Sequence, residues 1–157
     1  RRISRKNEGL LKKLFEIEIP EITSGIIEIK SVAREAGSRA KVAVYSAVPN
    51  IDTIGACIGQ KGARIKNIVD ELNGERIDIV EWKPVVEEFV SAVLSPAVVS
   101  NVTILEDGTA RVLVEPSQLS LAIGKNGQNA RLAARLTGMR VDIKVIDNET
   151  LKEEENE

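Results

Sequence analysis

The chain contains no histidine, one cysteine (Cys57) and four aromatic residues, Phe15, Tyr45, Trp82 and Phe89. Without histidine there is no Ser-His or Cys-His nucleophile pair, no imidazole acid-base chemistry and no imidazole ligand for zinc. A single thiol makes neither a disulfide nor a thiolate metal cage, so Cys57 reads as a small buried apolar residue. The shortage of rings removes the stacking platforms on which RNA-recognition motifs and single-strand-binding OB-folds hold bases. Any nucleic-acid binding must use another device. Long apolar runs are missing too: none approaches the roughly 20 residues that span a bilayer, and no signal peptide opens the chain. A cytoplasmic location, no membrane partner, no metal and no cofactor are expected.

What is present is a 157-residue chain, 43% apolar and 29% charged, with room for one ordinary domain or two small ones. It opens on Arg1 rather than Met, with Arg1, Arg2, Arg5 and Lys6 clustered, and so reads as a segment of a longer protein. The net charge of -2 is unevenly spread. Residues 147–157 sum to -5 and residues 1–146 to +3. The acidic end has little to pack and is read as a solvated, mobile tail over 148–157.

A repeat organises the rest. Ile58-Gly59-Gln60-Lys61-Gly62 is answered about 65 residues later by Ile123-Gly124-Lys125-Asn126-Gly127. Leu72-Asn73-Gly74-Glu75-Arg76-Ile77-Asp78-Ile79 is answered by Leu136-Thr137-Gly138-Met139-Arg140-Val141-Asp142-Ile143, and residues 40–44 pair with 110–114. Each copy reads as helix, strand, strand, helix, helix, strand. In the first copy the spacing predicts a helix over 9–17, strands over 26–34 and 41–46, a short helix over 53–58, a longer one with the stripe Ile65, Ile68, Val69 and Leu72, and a strand over 76–82. In the second it predicts a helix over 85–94, strands over 99–105 and 110–115 joined by the turn Glu106-Asp107-Gly108, a short helix over 117–123, a longer one with the stripe Ala130, Ala133, Ala134 and Leu136, and a strand over 140–146. That small-residue stripe suggests close packing against a neighbour. Gly74 and Gly138 are expected to cap the longer helices. The domains are placed at 1–82 and 83–147. Units this small are marginal alone, so a nearly rigid pair with a shared interface is expected, with Trp82 packed between its halves.

The Gly-x-x-Gly turns carry the chemistry. Glycine tolerates positive φ and lets another backbone approach, and the turn presents amides at the start of a helix, where the dipole favours phosphate. The surrounding charge agrees. Residues 53–69 contain no acid and three bases, Lys61, Arg64 and Lys66; residues 117–141 contain no acid and the bases Lys125, Arg131, Arg135 and Arg140. A nucleotide-hydrolysing P-loop is excluded, because Asn126 stands where Ser or Thr must follow Gly-Lys and Leu119 where the first glycine belongs. Asp78 and Asp142, at equivalent positions, are expected to make structural hydrogen bonds.

Ile-Gly-x-x-Gly between two helices, twice and in this element order, resembles the KH domain in its type II arrangement. Gly55-Ala56-Cys57-Ile58-Gly59-Gln60-Lys61-Gly62, the run from Gln118 to Gly124 and Gly127-Gln128-Asn129 are similar to the tandem KH pair of a bacterial transcription elongation, termination and antitermination factor family. The resemblance runs from about Ser4 to Ile146. It implies an α+β fold of two tandem KH domains, each a three-stranded sheet packed on helices, and non-catalytic binding of single-stranded RNA, about four nucleotides per groove. By position, Gly59, Gln60, Lys61 and Gly62, and Gly124, Lys125, Asn126 and Gly127, would clamp the RNA backbone, supported by Arg64, Lys66, Gln128 and Arg131. Ile54, Ile58 and Ile65, and Leu119, Ile123 and Ala130, would form the apolar floor under the bases; Ile77 to Ile79 and Val141 to Ile143 would face base edges. The family carries a polymerase-binding domain and an OB-fold before the KH pair, so the RNA polymerase elongation complex is a partner expected of the full-length protein. The chain is expected to be monomeric. A ribosome-associated KH protein, or a protein-interaction scaffold that has lost RNA, are the alternatives.

Overall fold

The computed structural model describes residues 8–146. The basic cluster of residues 1–6 and the acidic tail lie outside the described residues. The chain divides after Pro84 into two compact units, each described here by itself.

In the first unit α1 (Glu8–Glu18) leads into a short helix that the sequence spacing does not reveal, α2 (Pro20–Thr23), opened by proline at its first position. Then come β1 (Glu28–Glu35), β2 (Arg39–Tyr45), α3 (Thr53–Ile58), α4 (Ala63–Glu71) and β3 (Arg76–Glu81). In the second unit α5 (Val86–Val93) is followed by β4 (Asn101–Ile104), β5 (Ala110–Val114), α6 (Leu119–Ile123), α7 (Gln128–Thr137) and β6 (Val141–Val145). The expected helix-strand-strand-helix-helix-strand order is present in both, with ends displaced by one or two residues. Residues 117 and 118, expected to open α6, instead belong to a tight turn of 3-10 helix that begins at Pro116.

Both sheets have the same topology. Their orders are β1-β2-β3 and β4-β5-β6, with the first pair antiparallel and the second parallel. The β4-β5 hairpin turns on Gly108, whose φ of 87° suits glycine. The central strand β2 is buried from Arg39 to Val44. On one face Ala40, Val42 and Val44 pack with Leu11, Phe15 and Ile19, Cys57, and Ile68 and Leu72. Fully burying a side chain such as Phe15 is worth about 2–3 kcal/mol. In the second unit Phe89, Val90, Val93 and Leu94 are buried along with Val112, Val114, Ala122, Leu132 and Leu136.

One expectation is corrected. The core stripe of α7 is Asn129, Leu132, Ala133 and Leu136; Ala130 and Ala134 are only half-buried. The phase shifts because buried Asn129 donates through Nδ2 to the carbonyls of Leu94 (3.0 Å) and Ala122 (2.9 Å), taking a core position that apolarity alone assigns to alanine. Helix α7 lies against α5 and α6 of the same unit. Trp82 meets Tyr45 edge-on, ring centroids 5.2 Å apart, with Lys30 Nζ 4.9 Å from its own centroid. These two contacts tie its ring to the first sheet. Gly138 caps α7 in the left-handed region as expected, whereas α4 ends earlier and both Asn73 and Gly74 follow with positive φ.

The other face of the first sheet buries charged groups beside Ala33, Ala43 and Val80. Lys41 and Asp78 are neighbours in the parallel register, and Lys41 Nζ donates to Asp78 Oδ2 at 2.9 Å, where Arg39 also donates. Burial lowers the Lys41 ammonium to about 8, only partly opposed by Asp78. Burial acts to raise the Asp78 carboxyl, but Lys41 and Arg39 together outweigh it and hold it below its ordinary value. Nearby, Glu75 accepts a two-point contact from Arg34 (2.8 and 2.9 Å) and a bond from the Gly37 amide at 2.8 Å. Asp78 thus makes the structural hydrogen bonds expected of it.

Candidate nucleic-acid interface

Each turn links a short helix to a longer one through the same backbone path. Gly59 has φ 81° and ψ 172°, Gly124 φ 80° and ψ 168°. Two residues on, Lys61 (φ 56°, ψ 27°) and Asn126 (φ 57°, ψ 26°) enter the left-handed region, followed by Gly62 (φ 75°) and Gly127 (φ 76°).

The two glycines of each turn are needed for different reasons. A Cβ on Gly59 would lie 2.9 Å from the Arg64 amide nitrogen, and one on Gly124 would lie 2.6 Å from that of Asn129. The first glycine therefore admits the protein's own next helix. A Cβ on Gly62 would meet nothing within 4 Å, and one on Gly127 only Arg131 Nη1 at 3.8 Å. At the second glycine the space is open to a ligand. No side chain caps α4 or α7, and neither has an acid in its first turn. The first amide of each helix is satisfied within the turn, Ala63 donating to the Gln60 carbonyl and Gln128 to the Lys125 carbonyl.

The residue five positions after the first glycine ties the turn down in both units. Arg64 Nη1 donates to the Ala56 carbonyl at 2.7 Å and to Glu21 Oε1 of α2 at 2.9 Å. Asn129 makes the corresponding bond to Ala122 without any charge.

The remaining assigned residues surround these turns. Ile58 and Ile123, at the ends of α3 and α6, are 37% and 38% exposed. Ile54, Ile65, Leu119 and Ala130 are half-buried, and Ile65 packs on the core. Helix α3 lies against β3 and α6 against β6. Ile77 and Ile79, and Val141 and Ile143, are half-buried on those strands, Ile77 and Ile79 packed on the core. Gln60, Lys61, Lys125 and Asn126 are exposed on the turns, and Gln128 is half-buried. Lys66 is exposed and paired with Asp70 at 2.7 Å; Arg131 reaches back to the Asn126 carbonyl at 3.1 Å. Cys57 is fully buried in α3, and burial pushes its thiol up to about 11, disfavouring the thiolate. Glu21 escapes any reading of local sequence, because it lies 43 residues from Arg64 on an unexpected helix.

Family models described as NusA-like first KH domain and NusA-like second KH domain match residues 5–82 and 86–151. The chain belongs to the NusA-like KH family. It is 55% identical over 143 residues to the transcription termination/antitermination protein NusA of Bacillus subtilis, covering 90% of this chain and 38% of that protein. It is 52% identical to the NusA of Mycobacterium tuberculosis, covering 90% and 42%, and 48% identical to that of Thermus thermophilus, covering 96% and 39%. The chain thus spans about two fifths of the length of these NusA relatives. Among solved structures, the crystal structure of APE1850 matches with a TM-score of 0.64 at 22% identity, over 87% of this chain and 97% of that one. That likeness concerns the fold. Among the described residues no helix is long and apolar enough to cross a membrane.

Proposed function

We propose that each unit binds single-stranded RNA along its Gly-x-x-Gly turn and that the two act together, as the RNA-binding part of a transcription elongation, termination and antitermination factor. The observation that carries this reading is the duplicated turn: two copies with matching dihedrals, an uncapped helix start and open space at the second glycine. Phosphates run across Gly59 to Gly62 and Gly124 to Gly127, beside the cations Lys61 and Lys125. Bases lie over Ile54 and Ile58, or Leu119 and Ile123, with β3 or β6 at their edges. Aliphatic contact replaces ring stacking, in keeping with the scarcity of aromatics. The RNA is held and no bond is broken, so the chain is not an enzyme. It works as a cytoplasmic monomer, and contact with RNA polymerase belongs to the longer protein.

Joining two weak sites raises affinity through effective concentration, so an RNA of about eight nucleotides should bind at least tenfold more tightly than a four-mer. Replacing Lys125 and Asn126 together with Asp should weaken binding more than tenfold in a fluorescence-anisotropy titration by setting negative charge against phosphate. Unchanged affinity removes the groove assignment. Absence of any salt-dependent RNA affinity in the unmodified chain favours the protein-interaction scaffold instead.

A further inference from the structure

The two turns share a backbone but differ in the charge that the fold brings beside them. The sequence holds no acid between Thr53 and Val69, yet the fold delivers two from the amino-terminal helices. Glu21 of α2 pairs with Arg64, and Glu18 of α1 accepts a hydrogen bond from Asn67. With Lys66 paired to Asp70, two of the three bases in the first window carry an acid partner. In the second unit the corresponding tie, through Asn129, is neutral and ends on main-chain carbonyls.

We propose that Glu21 is a built-in competitor for phosphate at the first groove: it occupies Arg64, weakening that groove, so that the second groove sets the affinity for RNA. The inference rests on the RNA-binding reading of the turns. Three observations support it. A guanidinium donates to a carboxylate or a phosphate oxygen in the same way, so the two compete for one donor set. Arg64 stands at the turn itself, its Cγ 2.7 Å from where a Gly59 Cβ would be. The Arg64 and Glu21 side chains are 31% and 32% exposed, so water and ions reach the pair and it can exchange partners. Since Arg64 also holds the Ala56 carbonyl, neutralising Glu21 leaves the guanidinium in place with its charge uncompensated.

The test uses the full chain with the second turn disabled by Lys125→Asp and Asn126→Asp, titrated with a single-stranded eight-nucleotide RNA pool over a range of salt. In that background Glu21→Gln should tighten binding by about three- to tenfold at low salt and steepen the dependence of log K on log salt. Arg64→Gln, which keeps a donor for Ala56, should abolish that gain in the Glu21→Gln background. With the first turn disabled instead by Lys61→Asp, Glu21→Gln should leave affinity unchanged. Equal affinities with and without Glu21→Gln, or a gain that survives Arg64→Gln, overturn the competitor role while the RNA-binding reading stands. If the unmodified chain shows no salt-dependent RNA affinity, the underlying reading fails and this inference with it.

Discussion

Lys61 and Asn126 hold the same left-handed backbone conformation, φ 56° and 57°, at equivalent positions of the two turns. Asparagine adopts it readily, whereas a lysine there costs about 1 kcal/mol. The first turn carries strain that the second avoids, and strain retained at a surface turn points to use of the side chain. Lys61→Asn is therefore expected to raise the stability of the chain by about 0.5–1 kcal/mol in urea unfolding, and Asn126→Lys to lower it by a similar amount. The same Lys61→Asn change should weaken RNA binding. A stabilised variant with undiminished affinity would show that Lys61 is retained for some other reason.

The glycines of each turn should respond unequally to alanine. Gly62→Ala meets no atoms and should cost about 1 kcal/mol, from its φ of 75° alone. Gly59→Ala drives a Cβ against the Arg64 backbone and should cost more, roughly 2–4 kcal/mol. Thermal melts of both variants, with Gly127→Ala and Gly124→Ala as the matching pair, measure the difference. Equal losses within a pair would contradict the division of labour between the glycines. Gly62→Ala is then the cleaner probe of ligand contact, because the fold survives it.

Glu75 should be among the most sensitive positions in the first unit. It is 1% exposed and holds Arg34, itself buried, together with the Gly37 amide. Glu75→Ala strands a buried guanidinium and should destabilise by about 3–5 kcal/mol. A loss below about 1 kcal/mol in chemical unfolding would mean that solvent reaches Arg34 at no great cost.

Lys41 should give the first unit an alkaline dependence. Its folded value of about 8 lies below its ordinary 10.5. Below about pH 8 the group is charged in both states and the burial penalty is present in full. Between about 8 and 10.5 the folded chain has released the proton and the unfolded chain still binds it, so stability rises with pH. Unfolding free energies measured from pH 7.5 to 10.5 should climb relative to a Lys41→Met variant, by at most about 3 kcal/mol. A flat difference between the two chains would show that the ammonium stays charged beside Asp78.

Much of this was legible before any coordinates. The duplicated turns announce themselves because a backbone with φ near 80° selects glycine, and that choice survives in the sequence as a fixed spacing. Element order followed from periodicity. What periodicity could not reach is polar and distant. Asn129 occupies a core position because two carbonyls await it, and apolar patterning moved the α7 stripe by one residue in consequence. Lys41 and Glu75 are buried because Asp78 and Arg34, 37 and 41 residues away, receive them. The four residues of α2 are too few to show a period, and with α2 went Glu21, the acid inside a window that looked free of acids.

The parallel pairing of β2 with β3 also has a consequence for the order in which the chain can be built. β2 is complete at Tyr45, but its second edge stays open until Arg76 to Glu81 arrive, after both helices and the turn between them. Closing that gap is a non-local step that slows folding and leaves an exposed strand edge in the meantime. A nascent chain released before Arg76 would carry a finished Gly-x-x-Gly sequence on an unfinished sheet. The sheet of each unit is therefore complete only when its last strand docks, which makes the six residues of β3 a checkpoint on the first unit.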